Sequence, residues 1–224
     1  MIDIHNHALF GIDDGAKTIE DSIKMVDQAI EIGIKHVFLT PHYSRRHRKL
    51  NIETNYKALL LACQDKPIKL HLGREYLYNP LESFKAFTMG DSNYILIEFS
   101  TIEKEPIEEV CYNINAKGYV PIIAHIERYH YLTKKDYEEI RKVALFQVNS
   151  ETVIGLSSYR KDRRIAKYLL KKDLVDFIAS DAHNVTNRKN TLDLAYQHIL
   201  KKYGQQRADD LFKNNQKKLL ITHT

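Results

Sequence analysis

Metal-ligand side chains in this 224-residue chain gather at the ends of short apolar runs. His5 and His7 follow the run that opens the chain, His42 follows the second, Glu75 the third, Glu98 ends the fourth, His125 ends the fifth, and Asp181 with His183 closes the last. The loop after the first run adds Asp13 and Asp14. Imidazoles and carboxylates crowded together suffer desolvation and mutual repulsion unless a cation supplies opposite charge. With one of the Asp13-Asp14 pair the donors exceed what a single four- to six-coordinate ion takes, which implies two or three metals. Nitrogen and oxygen donors without thiolate suit Mn, Fe or Zn. Glu98 carries the most weight alone, because a carboxylate ending Tyr94-Ile95-Leu96-Ile97 is costly to bury without a cation or base beside it.

Such a site needs a scaffold that turns many strand ends toward one mouth. Apolar or β-branched runs predict strands at Ile2 to His5, Lys35 to Thr40, Ile68 to Leu72, Tyr94 to Phe99, Val120 to Ala124, Leu145 to Asn149 and Leu174 to Ala179. Helical patterns separate them. Ile19, Ile23, Val26 and Ile30 share a face, with Thr18 as N-cap and Gly33 as C-cap glycine. Ile107, Val110 and Ile114 repeat the pattern before Gly118, and helices also fit Asn51 to Gln64, Thr133 to Ala144, Arg160 to Lys172 and much of Thr191 to Leu220. Alternating strand and helix implies an α/β fold with a parallel sheet covered by helices. Functional residues at many strand ends favour a closed βα barrel over an open sheet, which concentrates its ligand at one switch point.

Composition narrows the remaining classes. At 43% hydrophobic residues with 8 Gly and 2 Cys, the chain is neither disordered, collagen-like nor a disulfide scaffold, and one domain over residues 1–224 is expected. No long apolar segment predicts a membrane span, and the start lacks the basic and apolar regions of a secretory signal, so a cytoplasmic location is expected. A net charge of +5 is a mild bias toward anionic ligands. The basic clusters Arg45 to Lys49 and Arg160 to Arg164 lack the interleaved aromatics of a nucleic-acid platform. His36, His47, His71, His130, His198 and His223 share no strand-end context and read as structural or exposed.

Taken together, Met1-Ile2-Asp3-Ile4-His5-Asn6-His7, Asp13-Asp14-Gly15, Thr40-Pro41-His42, Gly73-Arg74-Glu75, Ile97-Glu98-Phe99, Ala124-His125-Ile126-Glu127-Arg128 and Ser180-Asp181-Ala182-His183-Asn184 resemble the polymerase-and-histidinol-phosphatase (PHP) superfamily. They are closest to its capsule-associated, manganese-dependent bacterial protein-tyrosine phosphatases. The resemblance covers nearly the whole chain and implies a distorted seven-stranded βα barrel with a trinuclear site at His5, His7, Asp14, His42, Glu75, Glu98, His125, Asp181 and His183. It selects Asp14 over Asp13 and adds Arg128 and Arg188 as phosphate contacts. Ile126 stands where the family usually has proline, a departure that touches the pose of Arg128 and removes no ligand.

The implied chemistry is phosphomonoester hydrolysis by water activated on divalent metal, with the two arginines clamping phosphoryl oxygens. Cysteine-dependent hydrolysis is closed, since Lys69 and Lys117 stand where a Cys-x5-Arg loop built on Cys63 or Cys111 would need arginine. No Asp-x-Asp pair and no Gly-x4-Gly-Lys loop offers another phosphoryl route. A tyrosyl leaving group, with pKa near ~10, places little demand on a general acid, and none is named. By resemblance the substrate is a phosphotyrosine protein, a bacterial tyrosine kinase with a tyrosine-rich tail that controls capsule or exopolysaccharide synthesis. The loop Tyr43 to Lys49 is a candidate for recruiting such a tail. Rivals are a PHP-type small-molecule phosphoesterase such as histidinol-phosphate phosphatase, a metal-dependent amidohydrolase, and a degenerate non-catalytic barrel.

Overall fold

The computed structural model describes residues 1–43, 52–81 and 86–221. Its strand segments are β1 (Ile2–Asn6), β2 (His36–Leu39), β3 (His42–Tyr43), β4 (Lys69–Leu72), β5 (Glu75–Leu77), β6 (Tyr94–Glu98), β7 (Val120–Ile123), β8 (Leu145–Asn149) and β9 (Phe177–Ala179). All pair in parallel, in one ladder of order β1-β2-β4 and a second of order β3-β5-β6-β7-β8-β9. The α/β parallel architecture expected from the alternation is therefore present.

The sequence predicts seven strands, whereas the described residues form nine strand segments, two of which, β3 and β5, follow short interruptions after β2 and β4. Leu39 pairs with Leu72 and His42 pairs with Glu75, so the interruptions at Thr40-Pro41 and Gly73-Arg74 lie side by side. Proline has no N–H to give a ladder, and glycine weakens one. Across the break the chains change neighbours: β2 and β4 stay with β1, whereas β3 and β5 join β6. The backbone of Met89 and Gly90 covers the gap, bonding to Tyr94 and Leu72. At the far edge, the chain after β9 reaches the end of β1 through Asp181 N to His5 O (2.9 Å), His7 N to Ala182 O (2.9 Å) and an Asn6–Ala182 bridge.

Alternate residues of the strands stack in layers. Ile2, Ile4, Phe38, Leu96, Ile122, Phe177 and Ala179 form one buried apolar cluster, closed by Leu219. Two residues further along the same faces stand Glu98 and Asp181, and β8 contributes Gln147 and Asn149 in the same alternation. A polar layer thus lies directly above an apolar one. A larger cluster fills the space between strands and helices.

Helices α1 (Ile19–Glu31), α2 (Ile52–Ala62), α3 (Ile107–Asn115), α4 (Lys134–Ile140), α5 (Ser150–Val153), α6 (Arg160–Lys171), α7 (Leu192–Tyr203) and α8 (Gln205–Asp209) follow the strands. Thr18 caps α1 as expected, in a reciprocal capping box with Asp21. The buried stripe of α1 is rotated from the expected one: Ser22, Met25, Val26 and Ala29 are buried, while Ile19, Ile23 and Ile30 lie at its edges. Small Ser22 and Ala29 allow the close approach that larger side chains would prevent. Helix does cover much of Thr191 to Leu220, as expected, with a break at Gly204, whose φ of +86° only glycine adopts easily. Beyond α8 the chain continues as a π turn, Asp210–Asn214, and a 3-10 turn, Gln216–Leu220. Among the described residues no helix is long and apolar enough to cross a membrane. His36 and His71 pair with each other at 3.0 Å; the basic loop Arg45 to Lys49, His47 and His223 lie outside the described residues.

Candidate metal centre

The nine ligand-type residues meet at one end of the strands. Glu75, at the start of β5, is buried at the centre: Oε2 lies 3.2 Å from His5 Nε2, 3.3 Å from His7 Nε2 and 2.9 Å from His42 Nδ1. Its Oε1 is 2.8 Å from His125 Nε2. Glu98 approaches His125 at 3.5 Å and His42 at 3.7 Å. Asp181 Oδ1 lies 3.5 Å from His5 Nε2 and 3.4 Å from His7 Nε2. Asp14 Oδ1 is 3.3 Å from His183 Nε2 and 3.6 Å from His42 Nε2. Three overlapping sets have donor atoms within mutual reach of one ion: His7, Asp14, His42 and His183; His5, His7 and Glu75; and His42, Glu75 and Glu98.

Local backbone features aim these side chains. The β1 ladder shifts register between Asp3 and Asn6, where the His5-x-His7 segment begins. His125 and Asp181 both adopt left-handed backbone, φ +31° and +53°, at the ends of their strands. Non-glycine residues there carry strain that clusters at functional sites. Gly15 leaves no room for a side chain, since a Cβ would sit 2.0 Å from the carbonyl oxygen of His7. That close approach folds the Asp13-Asp14 loop over the histidines.

Hydrogen bonds assign the imidazole protons. His7 Nδ1 faces Asp13 Oδ2 at 2.7 Å, His5 Nδ1 faces Gln147 Oε1 at 3.1 Å, and His183 Nδ1 faces the carbonyl of Asp181 at 2.9 Å. Each acceptor places the proton on Nδ1 and leaves Nε2 as a lone pair. Yet Nε2 of His5 and Nε2 of His7 are only 3.1 Å apart, and His183 Nε2 is buried with no hydrogen-bond partner. Facing lone pairs and an orphaned acceptor are a donor set that fits divalent cations. Asp13 thus serves as an orienting acceptor, also receiving the amides of Gly15 and His42, while Asp14 reaches the cluster.

Electrostatics of the cation-free cluster are uneven. Burial opposes ionisation of Glu75 and Asp181, yet His5 beside Glu75 and Arg128 beside Asp181 hold both well below the usual carboxylate range. Burial and the neighbouring Glu75 charge push Glu98 up to about 8. Burial lowers His125 to about 4 and His183 to about 3; it also opposes charge on His7, but hydrogen bonding to Asp13, Asp181 and Glu75 together raises that group. Arg128 and Arg188 stand at the rim on these carboxylates: Arg128 NH2 donates to Asp181 Oδ2 at 2.8 Å, and Arg188 NH1 donates to Asp14 Oδ2 at 3.1 Å.

Two polar residues on β8 belong to the site and were not among the sequence candidates. Gln147 Oε1 accepts from His5 Nδ1 and from the amide of His125 at 2.8 Å; Gln147 Nε2 donates to Asn149 Oδ1, and Asn149 Nδ2 donates to Asp181 Oδ2, both at 2.8 Å. Their signal was Gln-x-Asn alternating with Phe146 and Val148 in a buried strand. Glu127 extends the network, accepting the amide of Asn149 at 3.0 Å.

Residues 1–221 match the family profile described as capsular polysaccharide synthesis, CpsB/CapC. The chain belongs to the CpsB/CapC family. Members similar to it include the tyrosine-protein phosphatases CpsB of Streptococcus agalactiae, 30% identical over 100% of this chain and 99% of that protein, and of Streptococcus pneumoniae, 32% identical over 99% and 98%. Among solved structures, YwqE from Bacillus subtilis and CpsB from Streptococcus pneumoniae are described together as unique metal-dependent tyrosine phosphatases. The matching chain has a TM-score of 0.83 at 30% identity, covering 93% of this chain and 90% of that one. An amidohydrolase from Mycoplasma synoviae shares the fold alone, with a TM-score of 0.63 at 13% identity over 100% of this chain and 88% of that one.

Proposed function

We propose that this CpsB/CapC family member is a metal-dependent tyrosine-protein phosphatase. Its ions are held by His5, His7, Asp14, His42, Glu75, Glu98, His125, Asp181 and His183. The supporting observation is the convergence of Nε2 of His5 and His7, 3.1 Å apart, on Glu75 and Asp181, with the buried Nε2 of His183 3.3 Å from Asp14. Manganese is the first choice of metal, with iron or zinc compatible with the same donors. The β2–β3 and β4–β5 pairs each count as one broken strand, giving a distorted seven-stranded barrel in a single domain spanning 1–224.

Divalent ions at this site would supply an activated water and charge stabilisation for hydrolysis of a phosphomonoester. The chain's own residues do the rest. Asp13 and Gln147 keep protons on Nδ1 of His7 and His5, so both rings present Nε2. Arg128 and Arg188, each partly exposed and turned toward the cluster, exchange carboxylate contacts for phosphoryl oxygens when substrate enters. A protein phosphotyrosine, on the tail of a bacterial tyrosine kinase that controls capsule synthesis, is the substrate assigned, with the phosphatase itself assigned to the cytoplasm. The test combines metal analysis of purified protein with assays on a phosphotyrosine peptide and on histidinol phosphate, before and after chelation and Mn, Zn or Mg addition. Metal-dependent turnover favouring the peptide is expected. Activity that survives full chelation, or a strong preference for histidinol phosphate, refutes the assignment.

A further inference from the structure

Arg128 faces two ways. Its NH2 meets Asp181 at the metal centre, while the same side chain lines a separate cleft of about 260 Å³ with Thr101, His130, Tyr159 and Asp162. The walls of this cleft are fixed. Asp162 is buried, with Oδ1 2.5 Å from His130 Nε2 and Oδ2 accepting from Ser157 Oγ at 3.1 Å. Lys161 Nζ donates to the His130 carbonyl at 2.9 Å. Tyr159, whose amide faces Ser157 Oγ at 3.3 Å, meets the His130 ring nearly at right angles, 6.4 Å between centroids and 73° between planes. Tyr159 is nevertheless 68% exposed.

A large aromatic beside a cleft that buries little of itself offers ring surface to an occupant. Two rings meeting at an angle, with a guanidinium on a third side, offer edge-to-face and cation–π contacts to an aromatic ring. The buried Asp162 carboxylate disfavours an anion in the same space. Arg128 lines the cleft and also contacts Asp181, so the cleft and the metal centre share this residue as a wall.

We propose that the cleft is the aryl subsite, receiving the phenyl ring of the phosphotyrosine, and that Tyr159 with His130 sets the preference for aryl over alkyl phosphates. The assignment rests on the phosphatase activity proposed above. Its test measures binding of two non-hydrolysable probes, benzylphosphonate and butylphosphonate, to metal-loaded protein by calorimetry, alongside turnover of a phosphotyrosine peptide. Tyr159→Ala is expected to weaken benzylphosphonate binding by about 3- to 10-fold, the range of an aromatic pair. Butylphosphonate should be unaffected. Tyr159→Phe, which keeps the ring, retains wild-type affinity, and Tyr112→Ala, removing an exposed tyrosine on α3, changes neither probe.

Equal losses for both probes, or none for benzylphosphonate, overturn the subsite. A loss confined to the phosphotyrosine peptide assigns the cleft to a neighbouring peptide residue and likewise overturns it. Wild-type protein that hydrolyses no phosphotyrosine in any metal overturns the phosphatase assignment and the subsite with it, a failure visible before any variant is made.

Discussion

Replacing Gln147 tests whether the polar layer of β8 orients the ligands. Gln147 is fully buried and makes three hydrogen bonds, to His5 Nδ1, to the His125 amide and to Asn149 Oδ1. Gln147→Leu leaves all three groups unsatisfied, and each costs about 1–3 kcal/mol when buried without a partner. Even at the low end the sum is ~3 kcal/mol, a large part of the ~5–15 kcal/mol that holds a domain folded. Loss of the His5 contact also frees that ring to rotate, and such outer contacts are worth roughly 10- to 100-fold in metal affinity. Gln147→Glu keeps both acceptor contacts but sets a carboxylate oxygen against Asn149 Oδ1, so it should lose stability while retaining metal affinity. Urea midpoints of the metal-free proteins and manganese affinities from chelator competition separate the two effects. A folded Gln147→Leu protein that binds manganese as tightly as wild type would refute the orienting role.

Two further outcomes follow from buried carboxylates. In chelator, Glu98, raised to about 8 from an unfolded value of 4.5, binds its proton more tightly when folded. Its contribution is therefore present below about pH 4.5 and lost as pH rises toward 8, so the urea midpoint should fall more steeply across that window in wild type than in Glu98→Gln. Parallel profiles would contradict it. Asp3 accepts from Ser180 N, Ser180 Oγ, Asn6 Nδ2 and Asn190 Nδ2 beneath the site, and Asp3→Ala should cost at least ~3 kcal/mol in denaturant unfolding. A loss under ~1 kcal/mol would show that those donors find other partners.

Much of this architecture is legible in the chain because ligand-type residues recur at strand ends, where a single interior position follows an apolar one. Glu98 after Leu96 and Asp181 after Ala179 continue the same alternation. Gln147 and Asn149 were illegible as site residues because side-chain amides are mostly exposed, and only their neighbours' burial marks these two as interior. β3 and β5 were hidden by their length: two and three residues carry no period. The α1 face was misjudged because Ser22 and Ala29 read as weakly apolar, yet their small size is what the packing requires. Arg128 and Arg188 were named by resemblance alone, and their carboxylate partners lie too far along the chain for spacing to reveal.

The change of neighbours at Pro41 and Gly73-Arg74 leaves a seam between the two ladders, and the cluster straddles it. His5 and His7 hang from the three-stranded side, His42 and Glu75 from the six-stranded side. Ions shared between them would act as rivets across the seam, adding to the backbone bonds that Asp181 and Ala182 make with His5 and His7 at the far edge. Occupancy of the centre then sets the mechanical stiffness of the mouth as well as its chemistry.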